Sequence, residues 1–208
     1  MVFYLCLFLL LSPVLAQAMP PPLPAVVQTE PLPPVKSAAA LKQLDQYLKN
    51  LTTLSARFVQ VNGDGSQLSG TFALQRPGRL RLEYDPPPRW LFVGTGNSYV
   101  YYDADVKQVS YLGRSDLPLA FLLEDDATLN RSDLKFTFYE DDTMLYALSR
   151  YADNPPATFA FQKNPFQLAA WYILDQEQQL ITVTLQDVSA GKPLDAALFR
   201  FVDPNRPR

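Results

Sequence analysis

The chain contains no histidine and one cysteine among its 208 residues. Without histidine there is no Ser–His or Cys–His nucleophilic system and no His-liganded zinc, so most hydrolase chemistry is closed to it. No spacing of potential ligands marks a metal site, and no cofactor is expected. A basic run is missing as well. With a net charge of −3, the chain lacks the positive footprint that nucleic-acid phosphates require. The apolar stretch at the N-terminus is too short to span a membrane comfortably.

That stretch, MVFYLCLFLLLSPVLAQA at 1–18, reads instead as a secretory signal peptide. Its apolar core covers 2–11, and Ala16-Gln17-Ala18 matches the small-x-small cleavage pattern. A positive n-region is lacking, which points to a start codon further upstream. Cys6 lies near the start of the apolar core rather than just after it, which argues against a lipoprotein cleavage site. Cleavage after Ala18 leaves a mature chain without cysteine. An exported protein with no disulfide fits the periplasm of a Gram-negative type envelope.

Residues 19–36 carry seven prolines. Proline fixes φ and removes a donor, so this segment is expected to be an extended, disordered tether. The folded domain should then occupy 37–204, with no internal repeat and no second domain visible. Ser37 is a candidate N-cap for a helix over 37–51, in which Leu41, Leu44, Leu48 and Leu51 form one stripe. Asn62-Gly63-Asp64-Gly65 marks a hairpin. Strand patterns fall at 54–61, 68–75, 79–84, 90–94, 98–102, 106–112, 134–139, 144–150, 157–162, 166–174, 180–187 and 198–202. A capping residue, an early proline and an apolar block over 115–123 predict a short helix. The class is α+β and mainly β, an antiparallel sheet strongly curved or partly closed, with helices on one side.

The most informative stretch is 70–111. Phe72 and Leu74 share one face, then Leu80, Leu82 and Tyr84, because side chains repeat every second residue on a strand. So apolar a sheet faces either a packed core or a hydrophobic ligand. Tyr84, Trp90, Phe92, Tyr99 and Tyr101 are compatible with both. Arg76, at the turn Arg76-Pro77-Gly78, is open to two readings. Arginine at a turn usually keeps its head in water, yet at the rim of an apolar sheet its fork can grip several backbone carbonyls at once. Asp103 and Asp105, like Glu124-Asp125-Asp126, offer the paired carboxylates that glycosidases use. Both groups sit in turn-like contexts, where local backbone bonding and solvation are the simple account. Glu83 alternates onto the other face beside Arg79 and Arg81, as a charge cluster.

The segment RPGRLRLEYDPP at 76–87 resembles the signature of the LolA family of periplasmic outer-membrane lipoprotein carriers. Ser55-Ala56-Arg57-Phe58-Val59-Gln60 is similar to that family's first strand. Gly70-Thr71-Phe72 precedes the Arg-Pro at the expected distance. Val100-Tyr101-Tyr102-Asp103, then Gln108-Val109, resembles its aromatic hairpin, and Leu117-Pro118-Leu119 with Leu122-Leu123 its Pro-containing lid. Leu194-Asp195-Ala196-Ala197-Leu198-Phe199-Arg200-Phe201 is similar to its closing strand.

The resemblance implies an unclosed half-barrel of about 11 antiparallel strands whose apolar concave cavity lies under a helical lid. It places a lid-latching arginine at Arg76 and favours that role over the solvated one. Leu80, Leu82, Tyr84, Trp90, Phe92 and Tyr101 would line the acyl-chain cavity, and Leu119, Phe121 and Leu122 would belong to the lid. Many relatives carry phenylalanine where Leu80 stands, so the cavity should differ in shape. The implied function is a non-enzymatic periplasmic carrier, a monomer. It would bind the acyl chains of lipoproteins freed by an inner-membrane ATP-driven release complex and deliver them to the outer membrane, through a separate acceptor if present. A periplasmic sensor that uses the same half-barrel to bind lipid and regulate a membrane partner is the competing reading. A carboxylate-only hydrolase is a third.

Overall fold

The computed structural model describes residues 30–205, apart from 97, 125–128, 130–131, 152–155 and 176. The expected signal peptide at 1–18, and 19–29 of the expected tether, lie outside the described residues. One helix, α1 (Pro34–Asn50), leads into eleven strands: β1 (Thr53–Val61), β2 (Gln67–Gln75), β3 (Arg79–Tyr84), β4 (Trp90–Thr95), β5 (Tyr99–Asp103), β6 (Gln108–Leu112), β7 (Leu134–Glu140), β8 (Met144–Tyr151), β9 (Ala157–Lys163), β10 (Phe166–Leu174) and β11 (Leu180–Ala190). They form one antiparallel sheet in the order β6-β5-β4-β3-β2-β1-β11-β10-β9-β8-β7. Two meanders therefore join at the β1–β11 pair, and the sheet stays unclosed, with β6 and β7 at its edges.

Alternation sets which side each residue takes. On β2 and β3, Phe72 faces Leu82 and Leu74 faces Leu80 in register, and all four are buried in the same core. Where β1 passes β2, Phe58 pairs with Gly70. A Cβ on Gly70 would lie 2.6 Å from the Phe58 ring and would also collide with the Glu83 carbonyl. Glycine is what lets the ring lie over the neighbouring strand. At the other end Gly94 plays the same part for Tyr99, whose ring would sit 2.7 Å from an added Cβ.

Three elements depart from expectation. The helix begins at Pro34 rather than Ser37, inside the stretch read as tether. Pro34 supplies a preset φ and needs no N–H partner at the first helical position. Ser37 lies one turn in, with its hydroxyl donating to the Leu32 carbonyl at 2.8 Å. The helix expected at 115–123 is two short 3-10 turns, Arg114–Asp116 and Ala120–Leu123. Between them Leu117 is extended at φ −102°, ψ 118°, as a residue preceding proline must usually be.

The strand expected at 198–202 is absent. Asp195 accepts from the Ala197 amide at 2.8 Å and starts a 3-10 turn, Ala196–Phe199. The segment after β11 crosses the convex face instead. The Leu198 carbonyl accepts from Arg81 at 2.9 Å, Phe201 packs on Tyr102, and Asp203 accepts from the Tyr111 hydroxyl at 3.2 Å. No helix among the described residues is long and apolar enough to cross a membrane.

Candidate functional site

The concave face is one continuous apolar surface running across the sheet from β6 to β7. Leu80, Leu82, Phe92 and Tyr101 are all buried in it, together with Phe58, Phe72 and Leu74. Tyr84 and Trp90 close one end of this face, half-buried, with ring centroids 5.6 Å apart. Tyr84 donates to the Gln60 side chain at 2.7 Å, and the Trp90 indole to Asp103 at 3.0 Å. Burial holds the Tyr99 hydroxyl above its ordinary pKa, against the pull of the Arg114 guanidinium.

Two covers fill the concavity. One is α1, which lays Ala40, Leu44 and Leu48 on the sheet. Those positions repeat every four residues, so they form a single stripe. The other is the 3-10 turn Ala120–Leu123, whose four residues are at most 1% exposed. Phe121 meets Phe159 and Phe136 edge-on, at 4.8 and 5.5 Å. Leu119, Phe121 and Leu122 thus lie in the same cluster as Leu80, Leu82 and Phe92. The opposite wall, Phe136, Phe138, Phe159, Phe161 and Trp171, escaped the reading of the sequence. The same two-residue alternation in β7 and β9 would have found four of those five.

Arg76 stands where the two covers meet. Its Nε donates to the Glu124 carbonyl at 2.9 Å and its terminal nitrogens to the carbonyls of Glu124 and Leu48; a longer contact, 3.4 Å, reaches Leu51. One planar fork therefore joins the end of the 3-10 turn to the C-terminal end of α1. Free carbonyls at a helix C-terminus are natural acceptors for a cation. The turn that carries Arg76 adds a backbone bond, from the Gly78 amide to the Leu123 carbonyl at 2.8 Å. Gly78 has φ +72°, and a Cβ there would approach the Gly96 carbonyl at 2.9 Å. The side chain of Glu124 accepts from the Tyr151 hydroxyl at 2.7 Å.

The carboxylates do other work. Asp103 is buried, contrary to the expected solvated turn, and besides the Trp90 indole it accepts from the amides of Asp105 and Val106. Asp105 pairs with Arg89 at 2.8 Å, and that guanidinium holds its carboxyl below the ordinary range. Both are occupied as turn anchors. Of the Glu124-Asp125-Asp126 group, Asp125 and Asp126 lie outside the described residues. Among the described residues no group of three potential ligands comes together to hold a metal. A groove of about 380 Å³ runs between the start of α1 and β7–β9, lined by both polar and apolar residues, including Leu32, Lys36, Glu140 and Lys163.

The family model described as "Outer membrane lipoprotein carrier protein LolA" matches residues 49–202. The outer-membrane lipoprotein carrier protein of Dechloromonas aromatica is 30% identical over 191 residues, covering 83% of this chain and 88% of that one. That of Methylococcus capsulatus is 30% identical over 176 residues, covering 78% and 83%. Among solved structures, an uncharacterized conserved protein from Thermus thermophilus aligns with a TM-score of 0.49 at 14% identity, over 80% of this chain and 96% of that one. With the family model spanning the unclosed sheet, the Ala120–Leu123 cover and Arg76, this chain belongs to the LolA family of outer-membrane lipoprotein carrier proteins.

Proposed function

We propose that the protein ferries lipoproteins across the periplasm. It takes up the acyl chains of lipoproteins freed from the inner membrane by an ATP-driven release complex, holds them on the concave face, and yields them to the outer membrane. Proteins of this family are binding chaperones and not enzymes. In this reading 1–18 directs export, the working unit is a monomer, and no cofactor takes part. The observation that carries it is the bonding of Arg76 to backbone carbonyls of both covers of one apolar face. That side chain is the latch.

The filled concavity explains how such a carrier can let go. Burying an acyl chain contributes about 0.8 kcal/mol per CH₂, so one chain of ordinary length gives roughly 10 kcal/mol. Three would exceed the ~18–21 kcal/mol ceiling of non-covalent affinity. Here Phe121, Leu122 and Leu123 already occupy the space. Acyl chains must displace them, so the net gain is the difference between burying lipid and exposing the turn. The Arg76 bonds raise the free energy of the open form further, since a ligand shifts an equilibrium only by its differential affinity.

The test is release of a triacylated lipoprotein from inner-membrane vesicles that bear the release complex, with purified carrier in the soluble phase. A soluble one-to-one complex, with lipid protected from the medium, is expected. Lipoprotein that stays in the vesicles whatever the amount of carrier refutes the proposal.

A further inference from the structure

The two edges of the sheet are treated differently. At β7 the Leu32 amide donates to the Phe138 carbonyl at 2.8 Å, α1 packs alongside, and Lys36 reaches Glu140 at 3.1 Å. That edge is capped by the chain's own N-terminal segment and carries Lys135 and Glu140. At β6 the backbone pairs with β5 and, among the described residues, with nothing else. Its residues, Gln108, Val109, Ser110, Tyr111 and Leu112, include no charge and no proline. These are the devices by which proteins usually blunt a free edge. Tyr111 is 54% exposed, its hydroxyl bonded to Asp203.

Register places this open edge on the rim of the concave face. Ser110 pairs with Tyr101 and Leu112 with Tyr99, and Leu112 packs against the same core as the covers. We infer that β6 is the docking strand for the peptide that follows the lipidated residue of the cargo, which adds to the sheet main chain to main chain. The inference rests on the carrier reading, because the acyl chains bring that peptide to the rim. Two features favour this occupant. The opposite rim is already taken by Leu32 and α1, so among the described residues a peptide leaving the concavity finds one edge strand whose outward backbone is unpaired. Backbone pairing reads no sequence, which suits a carrier whose cargoes share a lipid rather than a sequence; the uncharged side chains of β6 impose no preference of their own.

The experiment uses the full mature protein and two synthetic lipopeptides. Each has a diacylglyceryl-cysteine followed by six residues, and in one the alternate amides are N-methylated. Hydrogen exchange is followed at 108–112 and at 114–124. The unmodified lipopeptide should speed exchange in 114–124 as the turn is displaced, and slow the outward amides of 108–112 about tenfold. The N-methylated one should displace the turn equally, leave 108–112 unchanged, and dissociate about tenfold faster.

Displacement of the turn by the unmodified lipopeptide without protection at 108–112 overturns the edge assignment and spares the carrier reading. Equal protection by both lipopeptides overturns it as well. No response of 114–124 to either defeats the carrier reading, and the inference with it. Protection at 108–112 that grows with protein concentration in the absence of lipopeptide gives the edge to a second copy of the chain, and again overturns it.

Discussion

Arg76 and Glu124 meet at the rim of the sheet, the Nε of one donating to the carbonyl of the other at 2.9 Å while the same guanidinium reaches Leu48. Arg76→Leu keeps bulk and removes every donor. Closure then no longer competes with bound acyl chains. The variant should accept lipoprotein at least as readily as the parent but pass on less than about a tenth as much, consistent with losing charge-assisted bonds of ~1.5–3 kcal/mol each. Arg76→Lys should be defective or intermediate, since an ammonium cannot reproduce the planar fork. Loading and transfer are assayed separately with purified components. Equal loss of both would make Arg76 purely structural.

Leu80 is 1% exposed, between Leu74 and Gly94 and beneath the covers. In Leu80→Glu a carboxylate must be desolvated whenever the face is closed or loaded. The variant should keep its β-sheet circular dichroism, lose about 3 kcal/mol of stability, and bind lipoprotein at background level. Wild-type binding would remove Leu80 from the acyl-chain surface.

Gly70 lies under the Phe58 ring. Gly70→Ala should cost about 1–3 kcal/mol through overpacking, seen as a lower urea midpoint at unchanged slope. An unchanged midpoint would show that the ring moves aside freely.

Stability should be nearly flat from about pH 5.5 to 8, because no histidine titrates there. Arg57 holds Asp85 below its ordinary 3.8, Arg89 does so for Asp105, and Lys163 with Lys36 holds Glu140 below 4.5. Each of these carboxyls binds protons more weakly in the folded chain than in the unfolded one. Their contribution is complete above the ordinary values and is lost as pH falls through the lowered ones. Urea midpoints measured across pH should therefore decline only below about pH 4.5. A step near pH 6.5 would contradict this assignment.

Export should remove residues 1–18. N-terminal sequencing of the protein recovered from periplasm should begin at Met19, whereas a chain that retains Met1 would refute cleavage after Ala18.

The strands and their inward faces were legible because alternation is a local property, and β2 and β3 state it plainly in Phe72, Leu74, Leu80 and Leu82. The rim position of Arg76 was also legible, from the turn at Pro77-Gly78. Its acceptors were not. Leu48 and Glu124 contribute carbonyls, which no side-chain pattern advertises. Phe199 and Phe201 alternate as a strand would, but the Asp195 cap and the convex surface under them decided otherwise. The capping signal at Ser37 lost to the proline before it. The burial of Asp103 depends on a tryptophan thirteen residues away, brought beside it by the β4–β5 hairpin.

The pairing of β1 with β11 at the middle of the sheet has a topological consequence for motion. The first and last strands form the spine, so the two outermost strands, β6 and β7, are consecutive in the chain, and the Ala120–Leu123 turn comes after β6 and before β7. In the proposed carrier cycle it would leave the concavity without unzipping any strand pair, and the cost of loading would fall on side-chain packing and a few hydrogen bonds rather than on the ladder. Meanwhile the spine, whose partners lie more than a hundred residues apart, forms only once the final strand has arrived. In that cycle the moving part is local, and the part that must endure is the most long-range contact in the sheet.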